Sequence, residues 1–249
     1  MNPKAVKTSL KEILPLRNLF LQENNFQIRY NACHERGWTD SYILIYNEAN
    51  IGYGSIKGNE NPGDRDTLFE FYTIPSFRNK SSLAFSELLH SSGVSFIECQ
   101  TNDWLLTSLL FQHGQNINSK VILFEDDIKS SLKIDNIIFR KRRDDDILFE
   151  HNSEPVGDYV LELDKQVVAT GGFLLHYNIP FADLYMEVKE DHHRKGLGSY
   201  LIQELKRECY LSGRVPAARC NIENNASRAT LIRGGLKVAG FMLLGTIKS

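Results

Sequence analysis

The chain has 249 residues, 42% hydrophobic and 24% charged, with a formal net charge of −2. These are ordinary values for a globular chain of one or two domains. They argue against the basic domain or stripe of a nucleic-acid binder, and no apolar run reaches the roughly 18 residues of a membrane span. The lysine-bearing start MNPKAVKTSLKEILPL lacks the apolar core of a signal peptide. Cys33, Cys99, Cys209 and Cys220 are scattered with no CxxC pair. A cytoplasmic protein with reduced thiols is expected, without disulfides.

In chain order, the first clear elements are two short strands around a polar turn, YILIY-NEAN-IGYG, in Ser41–Gly54. IPSFRNKSSLAFSELL (Ile74–Leu89) and ECQTNDWLLTSLLFQHG (Glu98–Gly114) follow. Trp104, Leu109, Leu110 and Phe111 in the second of these can form either a core or a surface between lobes. The polar run EDDIKSSLKIDN (Glu125–Asn136) reads as a junction. IIFRKR (Ile137–Arg142) suits a strand, and DDDILFEHN (Asp144–Asn152) a short helix capped by an Asp. DYVLELDKQVVATG (Asp158–Gly171) is a second hairpin. GGFLLHYNIPFADLYMEV (Gly171–Val188) reads as two strands around a turn at Asn178–Pro180. A helix then carries Leu197, Leu201, Ile202, Leu205 and Cys209 at 3.6-residue spacing and ends at Gly213. PAARCNI (Pro216–Ile222) is a strand, NASRATLIRGG a helix and FMLLGTI a last strand.

The two hairpins align, with Tyr42 on Tyr159 and Gly54 on Gly171, 117 positions apart. Glu98–Gly114 aligns with Arg219–Gly235 at a shift of 121, the difference being a loop insertion. The chain is therefore expected to hold two copies of one unit, residues 1–125 and 126–249. The fold class is α/β (α+β), a mixed sheet with helices on both faces.

The stretch VKEDHHRKGLGSY places Arg194, Lys195, Gly196 and Gly198 where a strand ends and a helix begins. A helix N-terminus leaves N–H groups unpaired and carries partial positive charge, and glycine lets a ligand approach that backbone. Phosphate oxygens suit such a place. GxxxxGK[ST] is absent, and Leu201 stands where a dinucleotide motif needs its third glycine. A plain strand-to-helix turn with solvated charges remains the alternative.

VKEDHHRKGLG resembles the signature V-x-P-x-[YF]-[RQ]-x-x-G-x-[GA] of the Gcn5-related N-acetyltransferase (GNAT) superfamily, with Val188, His192, His193, Gly196, Leu197 and Gly198 in step. Asn224, Ser227, Leu231, Gly235 and Leu236 fall in step with a second signature, N-x-x-A-x-x-x-Y-x-x-x-G-F. The resemblance covers the whole second copy. It implies acetyl-CoA as cosubstrate, an amine acceptor (small molecule or peptide), and direct acyl transfer, with no metal. It places the pantetheine arm along Met186, Glu187 and Val188, with the Val188 amide as oxyanion donor. The pyrophosphate falls on Arg194, Lys195, Gly196, Leu197, Gly198 and Ser199, beside His193, and a further contact comes from Asn224. Because these are mostly backbone roles, Arg194→Gln should weaken binding less than a bulky residue at Gly196 or Gly198. Departures are Glu190 for the proline, His193 for Arg or Gln, and Leu231 for the tyrosine that protonates the leaving thiolate. Tyr200, Tyr210 or water would then supply that proton. A non-catalytic CoA-binding or protein-interaction module is the alternative function, and a nucleotide-phosphate binder a third.

Glu187 is the expected catalytic base, with a plain hydrogen-bonding carboxylate as the alternative. Asp183 shares its strand face as a helper or substrate contact. His176 and Tyr177 lie at the mouth of a hairpin, as acceptor-site lining or a solvated turn. His192–His193 makes no metal pair, because adjacent side chains diverge. Cys99 and Cys220 read as small buried hydrophobes, and KRRDDD (Lys141–Asp146) as a solvated strand end. In the first copy Ser81 and Ser82 replace the glycines and Glu70 aligns with Glu187, so that copy is expected to be degenerate and to bind no acetyl-CoA. No nucleic-acid or membrane partner is expected, and a homodimer is left open.

Overall fold

A computed structural model describes residues 2–29 and 31–248. Its elements run β1 (Lys4–Thr8), α1 (Leu10–Glu23), α2 (Asn31–Glu35), β2 (Thr39–Tyr46), β3 (Ala49–Lys57), β4 (Thr67–Thr73), a 3-10 turn (Pro75–Lys80), α3 (Ser81–Ser92), β5 (Phe96–Gln100), α4 (Trp104–His113) and β6 (Gly114–Asp126). There follow β7 (Ile137–Lys141), β8 (Tyr159–Leu163), β9 (Gln166–Leu174), β10 (Phe181–Val188), a 3-10 turn (Glu190–His192), α5 (Leu197–Leu211), β11 (Val215–Asn221), α6 (Asn225–Arg233) and β12 (Leu236–Ile247).

Two compact units form. Unit 1 takes the chain up to Phe26, residues 31–120 and the stretch from Gly240 onward; unit 2 takes Gln27–Arg29 and Val121–Ala239. The units therefore differ from the sequence halves 1–125 and 126–249. Met242–Thr246 of β12 pair with β5, while Val121–Asn221 and Glu125–Ala217 close the ladder between β6 and β11. Each unit is thus completed by a strand from the other half of the sequence. Unit 1 has the strand order β1-β2-β3-β4-β5-β12 and unit 2 the order β6-β11-β10-β9-β8-β7. The ladders within them are antiparallel except β4–β5 and β10–β11.

Turn chemistry sets both hairpins. Asn47 and Glu48 have φ of 48° and 65°, and Asp164 and Lys165 have 48° and 64°. Paired left-handed residues give the tight turn whose twist matches the strands it joins. In unit 1, side-chain alternation divides the core between the two sheet faces. Tyr42 and Leu44 pack with Phe85 and Leu88 of α3 and with Leu106, Leu109 and Leu110 of α4. Ile43, Tyr53 and Tyr72 pack with Ile13 and Phe20 of α1. Leu109 and Leu110 are therefore core, whereas Trp104 and Phe111 are exposed.

In unit 2 the apolar stripe Leu197, Leu201, Ile202, Leu205 and Cys209 of α5 is buried. Each such side chain contributes roughly 1.5–3 kcal/mol relative to exposure. Gly198 against Thr230 and Gly234 against Ile202 bring α6 onto the same side. The junction run is held on α5 by Lys206, whose Nζ donates to Ile128 O at 2.7 Å and Gly235 O at 2.8 Å. The other sheet face carries residues 142–158, and here the expected helix over Asp144–Asn152 does not form. The Asp146 carboxylate is taken by Arg140 (2.6 and 2.8 Å) and the Arg143 amide (2.7 Å). The backbone near Asn152 is drawn off to Glu187, so helical hydrogen bonds lose to tertiary ones.

Candidate active site

The site begins where two strands part. β10 and β11 pair in parallel from Phe181↔Val215 to Leu184↔Ala218. Beyond that point β10 stays on β9 as far as Val188↔Ala169, and β11 turns to β6 through Arg219, Cys220 and Asn221. A wedge opens after Leu184. Lys189 N donates to Val168 O, so alternation turns the amides of Met186 and Val188 away from β9 and into the wedge. The Val188 carbonyl accepts from His193 Nε2 at 2.7 Å. His193 thus ties the glycine loop to the strand end, a backbone role in place of the cationic one its position in the motif suggested.

The loop itself is preset. Arg194 has φ 60° and Gly196 φ 81°, and alternating left-handed residues turn successive N–H groups toward one concavity, which suits an anion. α5 starts at Leu197 with Gly196 as its cap and no side-chain capping bond, leaving its first amides for a ligand. A Cβ on Gly198 would lie 3.0 Å from Thr230 Cγ2 and 3.4 Å from Met186 Cε. Arg194 and Lys195 are exposed, and Leu197 and Ser199 are buried in the first turn. Asn224 caps α6, its Oδ1 accepting from Ser227 N at 2.9 Å, which leaves only its amide N–H groups for a ligand. Arg233, not singled out from the sequence, comes within 4 Å of a Cβ built on Gly196 and adds a cation. This cradle fits a pyrophosphate on the loop and an extended amide-bearing arm in the wedge.

On the sheet face opposite α5 stand Asp183, Tyr185 and Glu187. Glu187 Oε1 accepts from Asn152 N (2.8 Å); Oε2 accepts from Ser153 N (3.1 Å), Ser153 Oγ (3.1 Å) and Glu154 N (2.8 Å). Burial works against the charge, but these donors prevail and hold the carboxyl below its usual range. Glu187 is the clasp of the 152–154 stretch. His151 adds a second clasp, Nε2 to Thr170 Oγ1 at 2.6 Å.

Asp183 is different. Its side chain is 6% exposed, and Arg219 Nε lies 3.1 Å from Oδ2. Oδ1 is buried and accepts no hydrogen bond of normal geometry among the described residues. Burial pushes the carboxyl up to about 7; Arg219 and the Tyr177 phenol pull it down, and the Glu154 carboxylate raises it further. Tyr177 is buried and its hydroxyl accepts from Arg219, so it belongs to this cluster and is no solvated turn. Arg219, Glu154 and His151 were not picked out from the sequence. The signal available for Arg219 was a lone charge inside PAARCNI; for Glu154 there was none, since an irregular stretch brings it there.

The replaced tyrosine, Leu231, is a buried core residue. Tyr200 flanks α5 beside Phe139, Tyr159 and Glu204, the flank away from α6. Tyr210 is bound to Asp126 at 2.5 Å, near the far end of a 15-residue helix, about 20 Å from the loop at 1.5 Å per residue. Neither faces the wedge. Cys220 is only partly buried. Among the described residues no group of three His, Cys, Asp or Glu could hold a metal ion, and no helix is long and apolar enough to cross a membrane.

A splayed parallel pair thus stands beside an anion-suited nest at a helix start. An Acetyltransferase (GNAT) domain model matches residues 9–127, and an Acetyltransferase (GNAT) family model matches residues 125–231. The chain belongs to the GNAT acetyltransferase family, as two such domains in tandem, and its members transfer an acyl group from acyl-CoA to an amine acceptor. Its fold is similar to that of an acetyltransferase from the GNAT family of Colwellia psychrerythraea, with TM-score 0.76, 14% identity and 100% of each chain covered. It is also similar to a tandem GNAT protein from the clavulanic acid biosynthesis pathway (TM-score 0.62, 9% identity, 99% of each chain). A third similar structure is a GCN5-related N-acetyltransferase from Sphaerobacter thermophilus (TM-score 0.59, 10% identity, covering 99% of this chain and 96% of that one). No curated protein matches the chain significantly.

Proposed function

We propose that unit 2 is an acetyl-CoA-dependent N-acetyltransferase and that unit 1, lacking a cofactor loop, binds no acetyl-CoA. The observation that carries this reading is the wedge after Leu184, with a preset anion loop at one end and a buried carboxylate at the other. In this reading Arg194–Ser199 hold the pyrophosphate with help from Arg233. The backbone of Met186 and Val188 pairs with the pantetheine arm. Asn224 contributes its amide N–H, and His193 keeps the loop in register with the strand.

The base role expected of Glu187 passes to Asp183. A carboxylate held by four donors is a poor proton acceptor, whereas one poised near 7 matches the task. Asp183 takes the proton of the incoming ammonium, directly or through water. The freed amine attacks the thioester carbonyl, whose oxygen gains charge facing the Val188 amide. The C–S bond then breaks, the electron pair leaves on sulfur, and the nitrogen gives up its remaining extra proton to solvent. Ordinary thiols have a pKa of about 8.5, so the thiolate leaves without a protonated side chain, and Leu231 at the tyrosine position is no obstacle.

Calorimetry with acetyl-CoA, followed by thiol release with a pool of amines, tests this. Expected are one binding event per chain and amine-dependent release above hydrolysis. Binding without release would favour a non-catalytic CoA module, and no heat at millimolar acetyl-CoA would end the reading.

A further inference from the structure

The acceptor side of unit 2 has a charge pattern that the transfer step does not require. Asp183 is paired with Arg219 through Oδ2, while its buried Oδ1 has no hydrogen bond of normal geometry among the described residues and can receive one nitrogen. Glu154 stands outside it on the clasped stretch, its side chain exposed. Its carboxyl is raised by partial desolvation and by Glu187, against the pull of Arg219. Asp158 lies further along, and its charge, like that of Glu154, is felt by the Tyr185 phenol. Arg219 is engaged with Asp183 and Tyr177, and Arg142 donates to Gly157 O. Among the described residues neither Glu154 nor Asp158 has a cationic side chain within 4.0 Å. A carboxylate is therefore left at the rim after the inner one has been matched.

The stretch that bears Glu154 is also fastened unusually well. Four hydrogen bonds to Glu187 and one from His151 to Thr170 hold residues 151–154 over the strand face. That gives the Glu154 side chain an ordered backbone to act from. On the acetyltransferase reading, which this inference presupposes, we propose that the acceptor is an aliphatic diamine or polyamine. Its reacting nitrogen sits at Asp183, and its distal ammonium is held at the rim by Glu154, with Asp158 completing the negative field.

The test uses the full chain, acetyl-CoA, and amines of one length that differ only at the far end: 1,4-diaminobutane, n-butylamine and 4-aminobutyrate, with Nα-acetyl-lysinamide as a peptide-like arm. kcat/KM for thiol release should be about two- to fivefold higher for the diamine than for butylamine, the scale of one partly exposed ion pair, and lowest for 4-aminobutyrate. The difference should lie in KM. Glu154→Gln should bring the diamine-to-butylamine ratio to about one, and Glu154→Asp should restore part of it. Equal use of butylamine and diamine, or a preference for the lysinamide, overturns the assignment while leaving the acetyltransferase reading intact. No turnover with any amine also overturns it; calorimetry with acetyl-CoA then decides separately whether the cofactor reading falls as well.

Discussion

Asp183→Asn separates catalysis from stability, because the structure predicts that they move in opposite directions. The carboxyl rises from 3.8 to about 7 on folding, chiefly through burial. A rise of that size corresponds to about 4 kcal/mol. For a group whose folded pKa is raised, the folded state binds more protons, so its contribution is complete below 3.8 and is lost as pH climbs through about 7. At pH 8 the ionised carboxylate therefore weighs against folding. Asparagine keeps the shape without the charge. Denaturation at pH 8 should show the variant roughly 2–4 kcal/mol more stable than the wild type, and at pH 4 the difference should vanish. Thiol release should fall at least about a hundredfold, within the range for loss of a general base, and the acidic limb of the pH–rate profile near 7 should disappear. The groups facing Asp183 that share this titration are Arg219, Tyr177 and Glu154. A variant within about fivefold of wild-type activity would exclude Asp183 as the base, and a stability difference of the same size at both pH values would exclude a costly ionised carboxylate there.

Other expectations follow from neighbouring contacts. Gly196→Ala places a Cβ at φ 81°, a strain of about 1–2 kcal/mol, so calorimetry should show acetyl-CoA binding weakened about tenfold, and Arg194→Gln should cost less. Glu187→Gln should remove hydrogen-exchange protection from the amides of residues 152–154 and raise KM more than it lowers kcat. Because the Glu187 carboxyl is depressed on folding, its contribution is present above 4.5 and lost as pH falls through its lower folded value, so the wild-type strap should loosen in acid. Glu70→Ala should destabilise unit 1 by about 3–5 kcal/mol in urea unfolding, since it strands the buried Arg17.

How far the sequence carried the site depends on what kind of interaction built each part. The glycine loop and α5 were legible, since Gly196, Gly198 and the 3.6-residue stripe act locally. The β10 alternation was legible too, putting Asp183, Tyr185 and Glu187 on one face. How each carboxylate is engaged was not legible. Glu187 is held by amides 33–35 residues away along an irregular stretch, and Asp183 is buried, with its ion-pair partner Arg219 on a strand reached only after α5. The expected helix at Asp144–Asn152 failed for the same reason, since Asp146 caps nothing once Arg140 holds it. Non-local contacts between polar groups leave no period in a sequence.

The strand ladders of the two units differ where the site lies in unit 2. β4 and β5 also part after a short parallel pairing, Thr67↔Phe96 and Leu68↔Ile97. A bulge opposite Ser55/Ile56 then shifts the register. Glu70 faces Ser55, the counterpart of Gly172, which faces Tyr185. Glu70 therefore occupies the ladder position of Tyr185, not that of Glu187 as the ungapped alignment had it. Beneath α1 it is sealed, bound to Arg17 at 2.9 Å and Tyr53 at 3.0 Å and lying 3.4 Å from His34, with its carboxyl held well below the usual range. The ladder counterpart of Asp183 is Thr67, across from Lys57, and that of Arg219 is Glu98, which pairs with Lys57 at 3.2 Å. The loop after β4 has no left-handed residue from 74 to 92. At its mouth Arg78 reaches Glu23 at 2.7 Å and lies over the Tyr72 and Trp104 rings. Unit 1 therefore lacks both the preset anion loop and the poised carboxylate. Asp183→Asn in the full chain should leave no second, slower turnover at saturating acetyl-CoA, and a residual rate that Glu70→Gln abolishes would contradict this division of roles.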